Sequence, residues 1–328
     1  MKKNDQSNMA KKIDEFYPDL KDSDEIESFA LLGYEEGRPA ITVSDFNLTN
    51  DEKKIFSEVS NIYTGFNTIK KLYYMYQRDL EQFNSHFNDV EEGKVMKKLN
   101  DHTAQHDFDR FLVHILSSSR LFITYFENSL IREYGKDSWQ FKKWDKLTSK
   151  IYDTYFEYRF SYHLRNYTQH RGLPISTITT TLTDDDSQRF CTCEIMLNAQ
   201  NLLDSNYNWK KIIRDDLNEI KNNNENIDLV ELLNSHEESM NIIYDIANEI
   251  FAFSHYEKLA RLEKKLRKIY SSTSKEALIY KTTKYNLKNN GNNGIGDSWK
   301  PLDGLKEILE MYLVWDKRGY INLNLIAE

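Results

Sequence analysis

Between Glu157 and Asp184 the chain has no acidic residue, although the protein is acidic overall, and Arg159, His163, Arg165, His170 and Arg171 all fall in that gap. Arginine offers a planar fork of donors that matches a phosphate. Histidine is the side chain best suited to giving and taking protons near neutrality. Together they can hold a phosphodiester and move a proton on it. The stretch Glu157 to His170 reads as a helix stopped by Gly172-Leu173-Pro174, which leaves its last turn beside a chain break. At about 100° per residue, Asn166 and His170 share a helix face with Tyr162, and Arg165 points to the adjoining face.

The hexapeptide Arg165-Asn166-Tyr167-Thr168-Gln169-His170 resembles the R-x4-6-H motif of the HEPN superfamily, whose members often carry a polar residue, commonly Asn, directly after the Arg. HEPN domains are small helical bundles with this motif late in the domain, so the resemblance covers about residues 50–200. The Gly-Leu-Pro stop departs from the usual pattern, as does the β-hairpin expected after it. The resemblance implies a metal-independent endoribonuclease without cofactor, working as a homodimer whose two motifs face one cleft. In that chemistry the RNA 2′-OH attacks the neighbouring phosphorus. Arg165 would stabilise the charge that builds on the phosphorane, His170 would act as general base or acid, and Asn166 would orient the phosphate or the imidazole. Arg159, Tyr162, His163 and Arg171 are the neighbours expected to contact the substrate. A toxin or an antiviral abortive-infection effector is the setting such a resemblance often implies, with RNA and a regulatory protein or antitoxin as partners. The rival reading is a catalytically silent helical module that binds RNA, a nucleotide or a protein.

Other groups of residues carry less. His102 and His106 stand at i,i+4 with Asp109 and His114 nearby, but no Glu lies between them as in a zincin helix, so a solvated helix start is expected rather than a metal site. Cys191 and Cys193 lack a second pair and are expected as small buried residues on one strand face. Gly291 to Gly296 is followed by no Gly-Lys-Ser/Thr and reads as a loop. The run Arg261 to Lys268 reads as a solvated helix face rather than a grip on RNA. Tyr152, Tyr155, Phe156 and Phe160 recur at helical spacing and are expected in the core.

Several helices must position this segment. Thr49 or Asn50 can cap a helix carrying Ile55, Val59, Ile62, Phe66, Ile69, Tyr73 and Tyr76 to about Phe87. A second apolar stripe runs from Phe108 to Leu130 and ends at Gly135, and a third runs from Ser138 through Trp144, Ile151 and Tyr155 to Leu164. The β-branched run Ile175 to Thr183, a polar turn and Arg189 to Met196 predict a hairpin. Helices are expected from Trp209 to Ile220, from Ile227 to about Tyr270 and from Leu302 to Trp315. Short pieces are expected at Lys11–Phe16 (helix), Ala40–Val43 (strand) and Tyr320–Leu325 (strand), and a loop over Lys284–Ser298. The fold class is therefore mostly α: a HEPN-like helical bundle with a β-hairpin insertion near 175–196 and a second helical C-terminal region ending in a short strand. The expected divisions are an arm over 1–48, a helical domain over 49–200 and a C-terminal region over 201–328.

Composition agrees. In 328 residues there are 4 Pro and 11 Gly, too few for a turn-rich sandwich. Lys+Arg 44 against Asp+Glu 52 gives a net charge of -8, which disfavours a protein that coats nucleic acid but leaves room for a local basic site. The N-terminus is polar from Lys2 onward and no apolar run nears the ~20 residues of a membrane span. The expectation is a cytoplasmic protein with no membrane partner.

Overall fold

The computed structural model describes residues 11, 14–15, 18–35, 38–43, 50–93, 103–185, 188–223, 225–270, 276–285, 288 and 298–301. The fold is mostly helical. Seven helices are described: α1 Asn50–Glu91, α2 Thr103–Tyr134, α3 Trp139–Thr154, α4 Phe156–His170, α5 Ala199–Asp204, α6 Lys211–Asn222 and α7 Leu229–Tyr270. Strands β1 Glu25–Glu35, β2 Arg38–Val43, β6 Glu276–Thr283 and β7 Ser298–Pro301 form one antiparallel sheet in the order β2-β1-β6-β7. The second sheet has the order β3-β4-β5, from β3 Ile175–Asp185, β4 Gln188–Leu197 and the two-residue β5 Ile227–Asp228. No helix among the described residues is long and apolar enough to cross a membrane.

Two compact units divide the chain: residues 67–251, and residues 1–66 with 252–328. These bounds differ from the divisions expected at 48 and 200. Residues 201–251 belong with the preceding helices because α6 packs on α4, and because aromatic side chains of α7 meet those of α1.

In the unit of 67–251 the core is aromatic. Tyr76, Phe83, Phe108, Phe122, Phe126, Trp144 and Phe160 are fully buried, and rings of this size dominate burial energetics. Phe126 meets Trp144 edge-on at 4.7 Å, and Tyr73 stacks on Tyr244 at 3.9 Å. His236 is buried as well; its Nδ1 lies 3.2 Å from the Tyr76 hydroxyl, and its ring stacks on Tyr158.

Local chemistry sets the helix ends around the site. The second apolar stripe is α2, and it stops where Gly135 takes φ +82° and donates its N–H to the Ile131 carbonyl. That left-handed position suits glycine. Ser138 then caps α3 by accepting from the Phe141 N–H at 3.2 Å. The third stripe is two helices rather than one. Tyr155, extended at φ -105° and ψ 114°, separates α3 from α4, with its N–H returned to Ile151 and its carbonyl taken by the Arg159 N–H. Neither Gly nor Pro marks the break, so the periodicity ran straight through it. Tyr155 is exposed rather than in the core.

The hairpin forms where expected, with Asp185 opposite Gln188 and Thr180 opposite Cys193. Cys191 and Cys193 are both free thiols, buried on one face, while Thr192 between them is exposed. Burial pushes the Cys193 thiol up to about 12, which makes it an inert core group.

In the other unit, β1 pairs with β6 in antiparallel register from Glu25 opposite Thr283 to Leu32 opposite Glu276. The stretch expected as a loop from Lys284 ends in β7, paired with β6 through Tyr280 and Trp299. Lys284 is buried, donates to the Leu20 carbonyl at 2.8 Å and pairs with Asp14 at 3.0 Å, fastening the segment before β1 to the end of β6. The glycine loop 291–296, the helix 302–315, the strand 320–325 and most of the helix 11–16 lie outside the described residues.

Candidate active site

α4 carries the motif, and it packs against α2, α3 and α6. Its buried residues Tyr158, Phe160, Ser161, His163, Leu164 and Tyr167 turn one side of the helix inward. Trp209 backs its last turns: the indole stacks on Tyr167 at 5.3 Å, lies 6.1 Å from Phe160 and donates to the Leu202 carbonyl at 2.9 Å. The chain leaves α4 through Arg171, whose backbone N–H bonds the Tyr167 carbonyl at 2.8 Å and whose Nε donates to the Ser205 carbonyl. A fixed helix end results.

Of the motif residues, Arg165 and Asn166 are half-buried and joined, Arg165 Nη1 donating to Asn166 Oδ1 at 3.2 Å. Arg165 has no carboxylate partner among the described residues, and its buried Nε has no hydrogen-bond acceptor. His170 is the last residue of α4 and is exposed, free to meet a ligand from solvent. Asn166 thus holds the Arg165 fork, and His170, four residues after Asn166, lies one turn further along the same face as Asn166.

The four neighbours expected to contact substrate are placed differently. Arg159 is locked to Asp216 on α6, Nε to Oδ2 at 2.8 Å and Nη2 to Oδ1 at 3.0 Å. Bidentate pairing of this kind consumes the fork, so Arg159 joins α4 to α6 instead of facing a substrate. His163 is buried, with Nε2 2.8 Å from the Tyr152 hydroxyl; it is a core histidine. Burial, assisted by the nearby Lys210 charge, pushes its pKa down to about 4. Arg171 is exposed but tethered to Ser205. Tyr162 is half-buried, and it carries a residue that the motif does not contain: the Arg120 guanidinium of α2 lies 4.3 Å over its ring centroid. Leu173, in the Gly-Leu-Pro stop after α4, is exposed at 52%.

Arg120 did have a signal in the sequence. Leu116, Ser117, Ile123 and Thr124 occupy its i±3 and i±4 positions, so no carboxylate of its own helix can neutralise it. The same holds for Arg165, flanked at those spacings by Ser161, Tyr162, Thr168 and Gln169.

Elsewhere, no group of three or more His, Cys, Asp or Glu able to hold a metal occurs among the described residues. His106 and His114 are exposed and His102 lies outside the described residues. Asp109 is buried with Oδ1 unpartnered, and burial raises its carboxyl to about 6.

The buried histidines make acid sensitivity an expected property. His163 and His236 titrate near 4 in the fold, both because burial disfavours the cation, against an ordinary value near 6.5. Between those values the unfolded chain binds more protons, so stability rises with pH across that window. It is complete above about pH 6.5 and falls by at most about 3 kcal/mol per histidine towards pH 4. Melting curves at pH 7 and pH 4.5 check this. The Tm of His163→Gln should fall less than that of wild type, and equal falls would show that His163 charges inside the fold.

No protein-family model, no curated protein and no solved structure matches this chain.

Proposed function

We propose that the end of α4 is the active site of a metal-independent endoribonuclease of HEPN-like type, acting on RNA through Arg165, Asn166 and His170. The observation that supports it most is a guanidinium with no carboxylate partner among the described residues, bonded to Asn166, on the same short helix as an exposed histidine. Elsewhere on α4 the arginine has found its acid, as Arg159 has with Asp216. An arginine left unneutralised in a protein of net charge -8 suits an anion that arrives from outside. The 2′-oxygen would form its bond to phosphorus as the 5′-oxygen leaves, giving a 2′,3′-cyclic phosphate. His170 takes the proton from the 2′-OH or delivers one to the leaving oxygen, and Arg165 stabilises the equatorial oxygens.

A homodimer completes the proposal, since a lone Arg-His set is supplemented by its copy across a two-fold axis. A monomeric mass at micromolar concentration with cleavage intact contradicts that part. A toxin or abortive-infection role, restrained by a regulatory protein or antitoxin, is the setting we propose for such an activity. Purified protein should cleave single-stranded RNA in excess chelator. Loss of cleavage with chelator and recovery with Mg²⁺ or Mn²⁺ would overturn the metal-free chemistry.

One observation favours the rival reading of a silent binding module: Arg159, His163 and Arg171 are all committed to contacts within the fold. Expression in a bacterial host separates the two. Growth arrest that disappears with His170→Ala supports the nuclease, and unaffected growth with wild type supports the module.

A further inference from the structure

We infer that Arg120, laid over the Tyr162 ring, binds a phosphate of the RNA backbone next to the one held by Arg165. The inference rests on the ribonuclease reading of α4 and extends it to a second helix. Tyr162 and Asn166 are four residues apart on α4, about 6 Å along its axis, and Arg120 sits on the first of them. Two contacts give the direction of the neighbouring helix. Arg120 of α2 meets Tyr162, while Gln105, earlier on α2, donates to the carbonyl of Ile175 beyond the end of α4. The two helices therefore run antiparallel, and Arg120 meets α4 at Tyr162, three residues before Arg165.

The surroundings of Arg120 decide what it can do. No carboxylate pairs with it among the described residues, although Glu127 lies two turns further along α2. Its charge acts on Tyr158, whose hydroxyl is held above its ordinary value by burial, and Arg120 opposes that rise. A guanidinium held over an aromatic face is restrained while its N–H groups can still donate to an oxygen. A fork pre-set in this way loses little freedom when it grips a phosphate. Tyr162 is meanwhile not a free platform for a base. One face carries Arg120, and the ring meets Tyr152 and His163 in edge contacts at 6.0 and 5.2 Å between centroids. The contact offered to RNA is to the backbone and independent of sequence.

The test is the salt dependence of binding by the full chain to a labelled single-stranded RNA, in a His170→Ala background so that the strand stays intact. Each phosphate contact contributes about 0.7 to the slope of log affinity against log salt for a single strand. Arg120→Met, which keeps the apolar stem over Tyr162, should lower the slope by about 0.7 and weaken binding about tenfold, equally for strands of different sequence. Arg120→Lys should keep the slope and bind more weakly, and it serves if the Met variant fails to fold. An unchanged slope and affinity in Arg120→Met, with wild-type cleavage intact, overturns the role of Arg120 and leaves the nuclease reading standing. Wild-type protein that shows no salt-dependent RNA binding overturns both.

Discussion

Alanine at His170 or at Arg165 is expected to lower RNA cleavage by about two orders of magnitude or more, with little change in Tm. The size follows from what each group supplies: general acid–base catalysis contributes roughly 10²–10⁴, and one preorganised donor to a developing oxyanion about 10²–10³. His170 is exposed at the end of α4, and the Arg165 side chain bonds Asn166 alone among the described residues. Neither side chain belongs to the buried core, and substitutions outside it usually stay within about ±0.5 kcal/mol. Arg165→Lys should recover little, because it restores the charge without the planar fork. Cleavage and melting are measured on the same preparations. Variants that melt far below wild type, while their folded fraction cleaves normally, would make these residues structural.

The second large effect is expected at Trp209. Its indole is 2% exposed, stacks on Tyr167 and Phe160, contacts Tyr207 edge-on at 4.7 Å and bonds the Leu202 carbonyl. Trp209→Ala should cost about 3–5 kcal/mol, as large-to-small changes in a core do, a substantial share of the 5–15 kcal/mol typical of a whole domain. The last turns of α4 would lose their backing at the same time, so cleavage should fall further than stability alone explains. Trp209→Phe keeps the stacking and removes one of two donors to the Leu202 carbonyl, which still accepts from the Ser205 hydroxyl at 2.6 Å, so it should cost only about 0.5–1.5 kcal/mol. Denaturant midpoints give both values. A loss under about 1 kcal/mol in Trp209→Ala would show that the α4 terminus is held some other way.

The parts of this fold legible in the sequence were those written in local patterns. Helical spacing of apolar residues marked α1, α2 and α7, and a β-branched run on each side of a polar turn marked the hairpin. Features that depend on distant partners were hidden. β1 finds β6 about three quarters of the chain away, so nothing near Glu25–Glu35 announces its pairing. The break at Tyr155 lacks a Gly or Pro to signal it. The candidate site divides in the same way. Arg165, Asn166 and His170 belong to one local motif and lie on one helix, as their spacing requires. The burial of His163 under Tyr152, the capture of Arg159 by Asp216 and the seat of Arg120 on Tyr162 each need a residue from elsewhere in the chain. Composition alone had placed all the cations of the acid-free gap in one functional group.

The central claim is RNA cleavage by attack of a 2′-OH with protein groups alone, and one measurement tests it most directly. Wild-type protein in excess chelator is given an RNA strand and the same strand with a single 2′-deoxy sugar at its cleavage position, and the products are weighed. The account predicts a 2′,3′-cyclic phosphate end on the cleaved RNA and no cut at the deoxy position. Equal cleavage of both strands, or a 5′-phosphate end, would contradict it.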